Sequence, residues 1–104
     1  MGGGAAADAT IVAEPGEIDC LVELGAAAGN LPPEKMKGRK LFIVARDDAS
    51  EDGPRLPHIR AAFEKIPEPK RLIILEGSAH AQFLFQTAQA NRVMREILAF
   101  LAAP

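Results

Sequence analysis

Short apolar runs that alternate with helical patterns constrain the fold of this chain more than any other feature. Residues 41–45 and 72–75 are apolar at every position, and charged residues flank both runs. Residues 59–66, which lie between them, carry apolar side chains at the i, i+3, i+4 and i+7 positions of an amphipathic helix. A strand that is apolar on both faces must be covered on both sides. The sequence therefore predicts an α/β fold in which helices cover a small parallel sheet in three layers, α-β-α.

The rest of the chain adds elements of the same kind. The alanine-rich stretch 3–13 favours a helix that ends before a Pro-Gly pair. Residues 18–24 form a short, mostly apolar run between glycines, which is typical of a buried strand. An apolar stripe over 93–101 predicts a last helix, with Phe83, Leu84 and Phe85 packed in the core beneath it. We therefore expect a sheet of about three parallel strands.

The composition argues against several classes of function. The 104 residues include 12 Lys and Arg against 14 Asp and Glu, a net charge of -2, and no Tyr or Trp. This argues against nucleic-acid binding, which needs a basic surface. No apolar run approaches the roughly 20 residues of a membrane span, and the N-terminus lacks the basic start of a signal peptide. Cys20, the only cysteine, is interpreted as a buried apolar residue, and the reducing cytoplasm is the expected compartment.

Two polar turns that follow the apolar strands carry the candidate chemistry. Asp48 follows the 41–45 run, and His80 follows the 72–75 run. Functional groups collect at the carboxyl ends of parallel strands, so these two side chains can meet. A carboxylate beside an imidazole fixes its tautomer and stabilises its charged form. Taken singly, an Asp after a strand is more often a turn residue, and a His on a loop is more often a surface residue.

These turns resemble the ones that carry the acid and the histidine in the α/β-hydrolase family. Residues 45–48 (Ala-Arg-Asp-Asp) are similar to the family's Gly-x-x-Asp turn, with Ala in place of Gly, and residues 77–80 (Gly-Ser-Ala-His) match its Gly-x-x-His turn. The order of acid before histidine also agrees. The resemblance implies a serine-type hydrolase, similar to dienelactone hydrolases and small esterases, that acts on a small-molecule ester without cofactor or metal. Asp48, rather than Asp47, would orient His80 as the general base.

The start of the chain resembles the segment that follows the nucleophile in the same family. Met1-Gly2-Gly3 is similar to the end of the family's Gly-x-Ser-Met-Gly-Gly motif, so Met1 would come directly after the missing serine. Residues 1–104 would then form the C-terminal portion of an α/β-hydrolase domain. Ser50 and Ser78 lack the surroundings of a nucleophile elbow. We therefore expect the isolated chain to be inactive.

Two non-enzymatic interpretations stay open beside the hydrolase one. The chain is alternatively a non-catalytic remnant, or a half-domain that acts only as a binding module. In the complete family fold the strand at 18–24 pairs with a neighbour that this sequence does not contain, so we expect its edge to be free for self-association. Three acidic side chains oppose such pairing: Glu17, Asp19 and Glu23.

Overall fold

The structure is a computed structural model that describes residues 2–103. Its helices are α1 (Gly2–Val12), α2 (Leu56–Lys65) and α3 (Ala90–Ala102). Its strands are β1 (Cys20–Leu24), β2 (Arg39–Ala45), β3 (Ala49–Ser50), β4 (Gly53–Pro54) and β5 (Lys70–Leu75). Two 3₁₀ turns, Pro33–Lys35 and Ala81–Gln86, complete the described elements. None of the helices in this part of the chain is long and apolar enough to cross a membrane. The prediction that places Met1 directly after a nucleophile falls outside the described residues.

Strands β1, β2 and β5 form one parallel sheet with β2 at its centre. Leu24 pairs with Ile43, and Ala45 pairs with Leu75, so the carboxyl ends of the strands lie along one edge of the sheet. The central strand is buried at every position after Arg39. The small parallel sheet with its helices confirms the predicted α/β class.

Alternate residues of β2 pack against opposite helical layers, as the two-residue period of a strand requires. Phe42 and Val44 pack with side chains of α1 and α2 on one face. Leu41 and Ile43 pack with Val93 of α3 on the other face. This arrangement explains why the run is apolar at every position, and it gives the three layers that the sequence predicts.

Several predicted boundaries shift for identifiable reasons. β1 begins at Cys20 rather than at residue 18, because its first partner on β2 is Arg39, which follows the turn at Gly38 (φ +78°). α2 begins at Leu56, ahead of the apolar spacing that predicts it, because Pro57 is tolerated in the first turn of a helix. The polar stretch before α2 holds the two-residue hairpin formed by β3 and β4.

Of the three residues predicted to pack in the core, Leu84 does so, but the prediction is wrong for Phe83 and Phe85. Both side chains lie in the 3₁₀ turn Ala81–Gln86 and are 51% and 37% exposed, whereas Leu84 between them is buried. A 3₁₀ turn has three residues per revolution, so only one side chain in three faces the sheet. Leu84 takes that position and leaves its two aromatic neighbours at the surface.

Candidate functional site

The turns that follow β2 and β5 lie side by side because backbone hydrogen bonds join them. The amide of Arg46 donates to the carbonyl of Leu75 at 2.7 Å, and the amide of Asp47 donates to the carbonyl of Gly77 at 2.8 Å. Gly77 has a φ of +99°, which glycine adopts without steric cost. These bonds bring the turns 45–48 and 77–80 to the same edge of the sheet.

Asp48 and His80 are in direct contact at this edge. His80 Nδ1 lies 2.7 Å from Asp48 Oδ2, and the two side chains are 37% and 1% exposed respectively. Because a carboxylate only accepts hydrogen bonds, Nδ1 is the donor and Nε2 is left as the basic nitrogen. A buried acid thus orients a partly exposed imidazole, which is the arrangement that general-base catalysis by histidine needs.

Arg55 holds the other oxygen of Asp48. Its Nε lies 3.0 Å from Asp48 Oδ1, and its backbone amide donates to the Asp48 carbonyl at 2.9 Å. The hairpin β3–β4 returns the chain between these two residues, with Ala49 opposite Pro54. Both carboxylate oxygens therefore have partners, and the carboxylate cannot turn away from His80 without breaking the ion pair with Arg55.

Gly25 packs against the imidazole of His80. It follows β1 with a φ of +80°, and its amide donates to the carbonyl of Ile43 at 2.8 Å. A Cβ atom at this position would lie 2.6 Å from His80 Nδ1 and 3.2 Å from Asp48 Oδ2. Any side chain here would displace the ring, so the contact between Asp48 and His80 depends on a glycine at the end of β1.

A second buried acid precedes Gly25 on β1. Glu23 is 2% exposed, and its Oε2 accepts no hydrogen bond from residues 2–103. This oxygen lies against the first turn of α1, where a Cβ atom on Gly3 would be 3.0 Å away. Burial raises the pKa of the Glu23 carboxyl to about 7, because the charged form loses its hydration.

A cavity of about 610 Å³ opens beside the Asp48–His80 pair. Its walls come from the residues that follow β1, from the hairpin β3–β4 and from α2. Gly25 and Arg55 belong to these walls, and they also contact His80 and Asp48 respectively. Asp48 and His80 are not wall residues of the cavity, so Gly25 and Arg55 connect it to the pair.

In the described part of the chain, no nucleophile contacts His80. The hydrogen bond of its ring there goes to Asp48. Ser78 is exposed on the turn, and Ser50 Oγ accepts a backbone amide within its own hairpin. Cys20 is half-buried rather than buried. It is the first residue of β1, so it lies at the amino ends of the strands, away from His80. Residues 2–103 also hold no group of three or more His, Cys, Asp and Glu side chains placed to bind a metal ion.

The sequence patterns do not predict the structural roles of Arg55, Gly25 and Glu23. Arg55 lies in a stretch rich in Gly and Pro with no periodicity, so nothing in the sequence connects it to Asp48. The sequence indicates Gly25 only as the residue that ends a strand. Glu23 leaves a usable signal, because it alternates with Leu21 and therefore shares the face of β1 that α1 covers.

Comparison with models of known protein families, with curated proteins and with solved structures found no match to this chain. The features of the site that bear on its function are a buried carboxylate, an imidazole with one free nitrogen and a nearby cavity.

Proposed function

We propose that this chain supplies the acid and the general base of a serine-type hydrolase of the α/β-hydrolase family, acting on ester or related acyl bonds. One observation supports this most strongly: the 2.7 Å contact between buried Asp48 and partly exposed His80, after adjacent parallel strands. The similarity of the turns 45–48 and 77–80 to those of the family supports it independently.

In this proposal, His80 Nε2 moves a proton in both halves of the reaction. It accepts the proton of a serine hydroxyl as the serine oxygen attacks the ester carbonyl, and Asp48 stabilises the imidazolium that forms. When the bond to the alcohol breaks, Nε2 gives the proton to the departing oxygen and an acyl-serine remains. Water then attacks the acyl group with the same assistance and releases the carboxylic acid.

The nucleophile in this proposal lies outside residues 2–103. We place the serine directly before Met1, on the basis of the similarity of Met1-Gly2-Gly3 to the family's elbow motif. It would then stand at the N-terminus of α1. We assign the protein to the cytoplasm, since Cys20 is free and a reducing compartment keeps it so.

The test begins with the coding DNA upstream of the Met1 codon. We expect an in-frame continuation that encodes Gly-x-Ser. Expressed with that segment, the protein should hydrolyse p-nitrophenyl butyrate. Replacing His80 by Ala or Asp48 by Asn should lower kcat by about 10⁴-fold or more. Asp47→Asn is the matched control, because Asp47 is exposed and its side chain does not contact His80; its kcat should stay close to that of the parent.

The isolated chain of 104 residues should hydrolyse this ester no faster than buffer does. Robust activity that disappears in His80→Ala would show that the chain carries its own nucleophile, and Ser78 would be examined first. Activity of the longer protein that survives His80→Ala would refute the role given to His80. An upstream frame without a serine elbow would refute the proposed source of the nucleophile.

A further inference from the structure

We propose that the cavity beside the Asp48–His80 pair binds a neutral carbonyl compound with a short apolar chain, an ester or an amide, and that Arg55 donates to its carbonyl oxygen. This inference deepens the proposed hydrolase function and rests on it. The substrate binds between the walls of this cavity, and Arg55 recognises its carbonyl oxygen.

The size and surface of the cavity fit a small ligand of this kind. Its volume of about 610 Å³ lies within the usual range of small-molecule pockets, roughly 300–1,000 Å³. One wall is the stretch of small side chains from Ala26 to Ala28, and another is formed by Ile59 and Ala62 of α2. These walls offer apolar contact to a short alkyl chain.

Two residues of the cavity wall contact the Asp48–His80 pair. Gly25 lines it and lies against the imidazole of His80, so a ligand on this wall is separated from the general base by one glycine. Arg55 lines it on another side and is bonded to Asp48. A ligand in the cavity is therefore one residue away from each member of the pair.

Arg55 has hydrogen-bond donors left over for a ligand. A guanidinium carries five N–H donors. The ion pair with Asp48 uses Nε, and the terminal nitrogens donate to no other group among residues 2–103. Because the ion pair and the hairpin fix the guanidinium, its remaining donors are pre-oriented, which lowers the entropy lost on binding.

The charges around Arg55 favour a neutral ligand over a carboxylate. The single positive charge of Arg55 is already matched by Asp48, and Asp52 adds a negative charge to the cavity wall. A carboxylate would enter beside two carboxylates, Asp48 and Asp52, and one guanidinium. An ester or amide carbonyl accepts from the guanidinium without that repulsion.

The experiment is a titration of the isotopically labelled chain by NMR, with butyramide as the neutral probe and butyrate as its anionic match. We expect butyramide to shift the amide signals of the cavity walls, at Gly25, Arg55 and Ile59 among others. Butyrate should bind about fivefold more weakly or worse. Arg55→Gln should lower the affinity for butyramide about fivefold, the effect of losing one net hydrogen bond.

Two variants separate recognition from folding. Ala62→Leu fills the cavity at a distance from Asp48 and should also weaken binding, while Arg60→Gln on the same helix but outside the cavity should not. Equal or tighter binding of butyrate, or unchanged affinity in both Arg55→Gln and Ala62→Leu, would overturn the inference. So would the absence of any shift at the cavity walls.

The binding assay can fail separately from the hydrolase proposal, because it needs no turnover. If butyramide binds as expected but the extended protein shows no hydrolysis, the cavity is a carbonyl-binding site and the hydrolase proposal falls. If hydrolysis depends on His80 but butyramide does not bind, only the present inference falls.

Discussion

Glu23 is an acid held in an environment that disfavours its charge. Its side chain is buried under the first turn of α1, beside Gly3. In α1 the one charged side chain is Asp8, which is committed to the amides of Asn30 and Leu31. Since no cation in the described residues compensates the carboxylate, burial alone sets its pKa at about 7.

We expect the stability of the protein to fall as the pH rises, because of Glu23. Its pKa is about 7 in the folded state against the ordinary 4.5, so the folded state binds this proton more tightly than the unfolded state does. The free energy of unfolding should therefore decrease between these two pH values and level off above the higher one. The loss should be about 1–3 kcal/mol. Urea unfolding from about pH 5 to about pH 8 measures it.

Two variants isolate the contribution of Glu23. Glu23→Gln removes the titration, so its stability should change much less over this pH range and exceed that of the parent at the alkaline end. Glu64→Gln is the control, because Glu64 is exposed on α2 and should leave the pH dependence intact. A parent protein whose stability rises with pH, or a Glu23→Gln variant with the same slope as the parent, would contradict the assignment.

At the scale of elements, the site lies at the carboxyl ends of three strands. Gly25, which follows β1, bonds to β2 and packs against His80 after β5. We expect Gly25→Ala to destabilise the protein and to break the hydrogen bond between His80 and Asp48. The left-handed backbone alone costs an alanine about 1–2 kcal/mol, and the new Cβ atom would overlap the imidazole. Urea unfolding measures the stability, and the NMR signal of the proton on His80 Nδ1 reports the bond.

Gly16 supplies a matched control for that substitution. Its φ of +87° is close to that of Gly25, but a Cβ atom there would meet nothing within 4 Å. Gly16→Ala should therefore show the backbone cost without the steric one, and it should keep the signal of the Nδ1 proton. Equal losses in the two variants, with that signal kept in both, would mean that His80 tolerates a side chain at the end of β1.

The sequence predicts an element well where burial gives it a recognisable pattern of apolar residues. The central strand Arg39–Ala45 is covered on both faces, so its apolar run identifies it, and the layer order follows from it. Asp48 and His80 are predictable because each directly follows such a strand. The hairpin β3–β4 is too short to show any period, and the ion pair it creates between Arg55 and Asp48 depends on tertiary folding. The exposure of Phe83 is also set by local folding, because the geometry of the 3₁₀ turn Ala81–Gln86 decides which of its side chains faces the sheet.

At the scale of the whole molecule, the described sheet has an open edge at β1. Asp19 accepts from the amide of Arg39, and Gly25 donates to the carbonyl of Ile43. Because alternate residues of a strand point their amides to opposite sides, the amides of Cys20, Val22 and Leu24 face away from β2. The prediction that the charge of Glu23 opposes pairing at this edge is wrong, because the Glu23 side chain is buried under α1.

A second surface competes with this edge as a site of self-association. Helix α3 exposes an apolar stripe made of Met94, Leu98 and Leu101, which are 45%, 58% and 50% exposed. The stripe follows the i, i+4, i+7 spacing of one helix face. An association through α3 would bury side chains, whereas one through β1 would pair backbone groups, so the two can be separated by experiment.

We expect the isolated chain to self-associate through the β1 edge, because unpaired strand amides are a template for pairing with another chain and no proline interrupts Cys20–Leu24. Sedimentation velocity over a concentration series should show a mass that rises with concentration. The amides of Val22 and Leu24 should exchange their hydrogens more slowly at the higher concentrations. Leu98→Glu disrupts the α3 stripe and should leave both results unchanged. If Leu98→Glu abolishes the association, the stripe on α3 is the interface; a chain that stays monomeric throughout, with cooperative unfolding, is self-sufficient and needs no partner at β1.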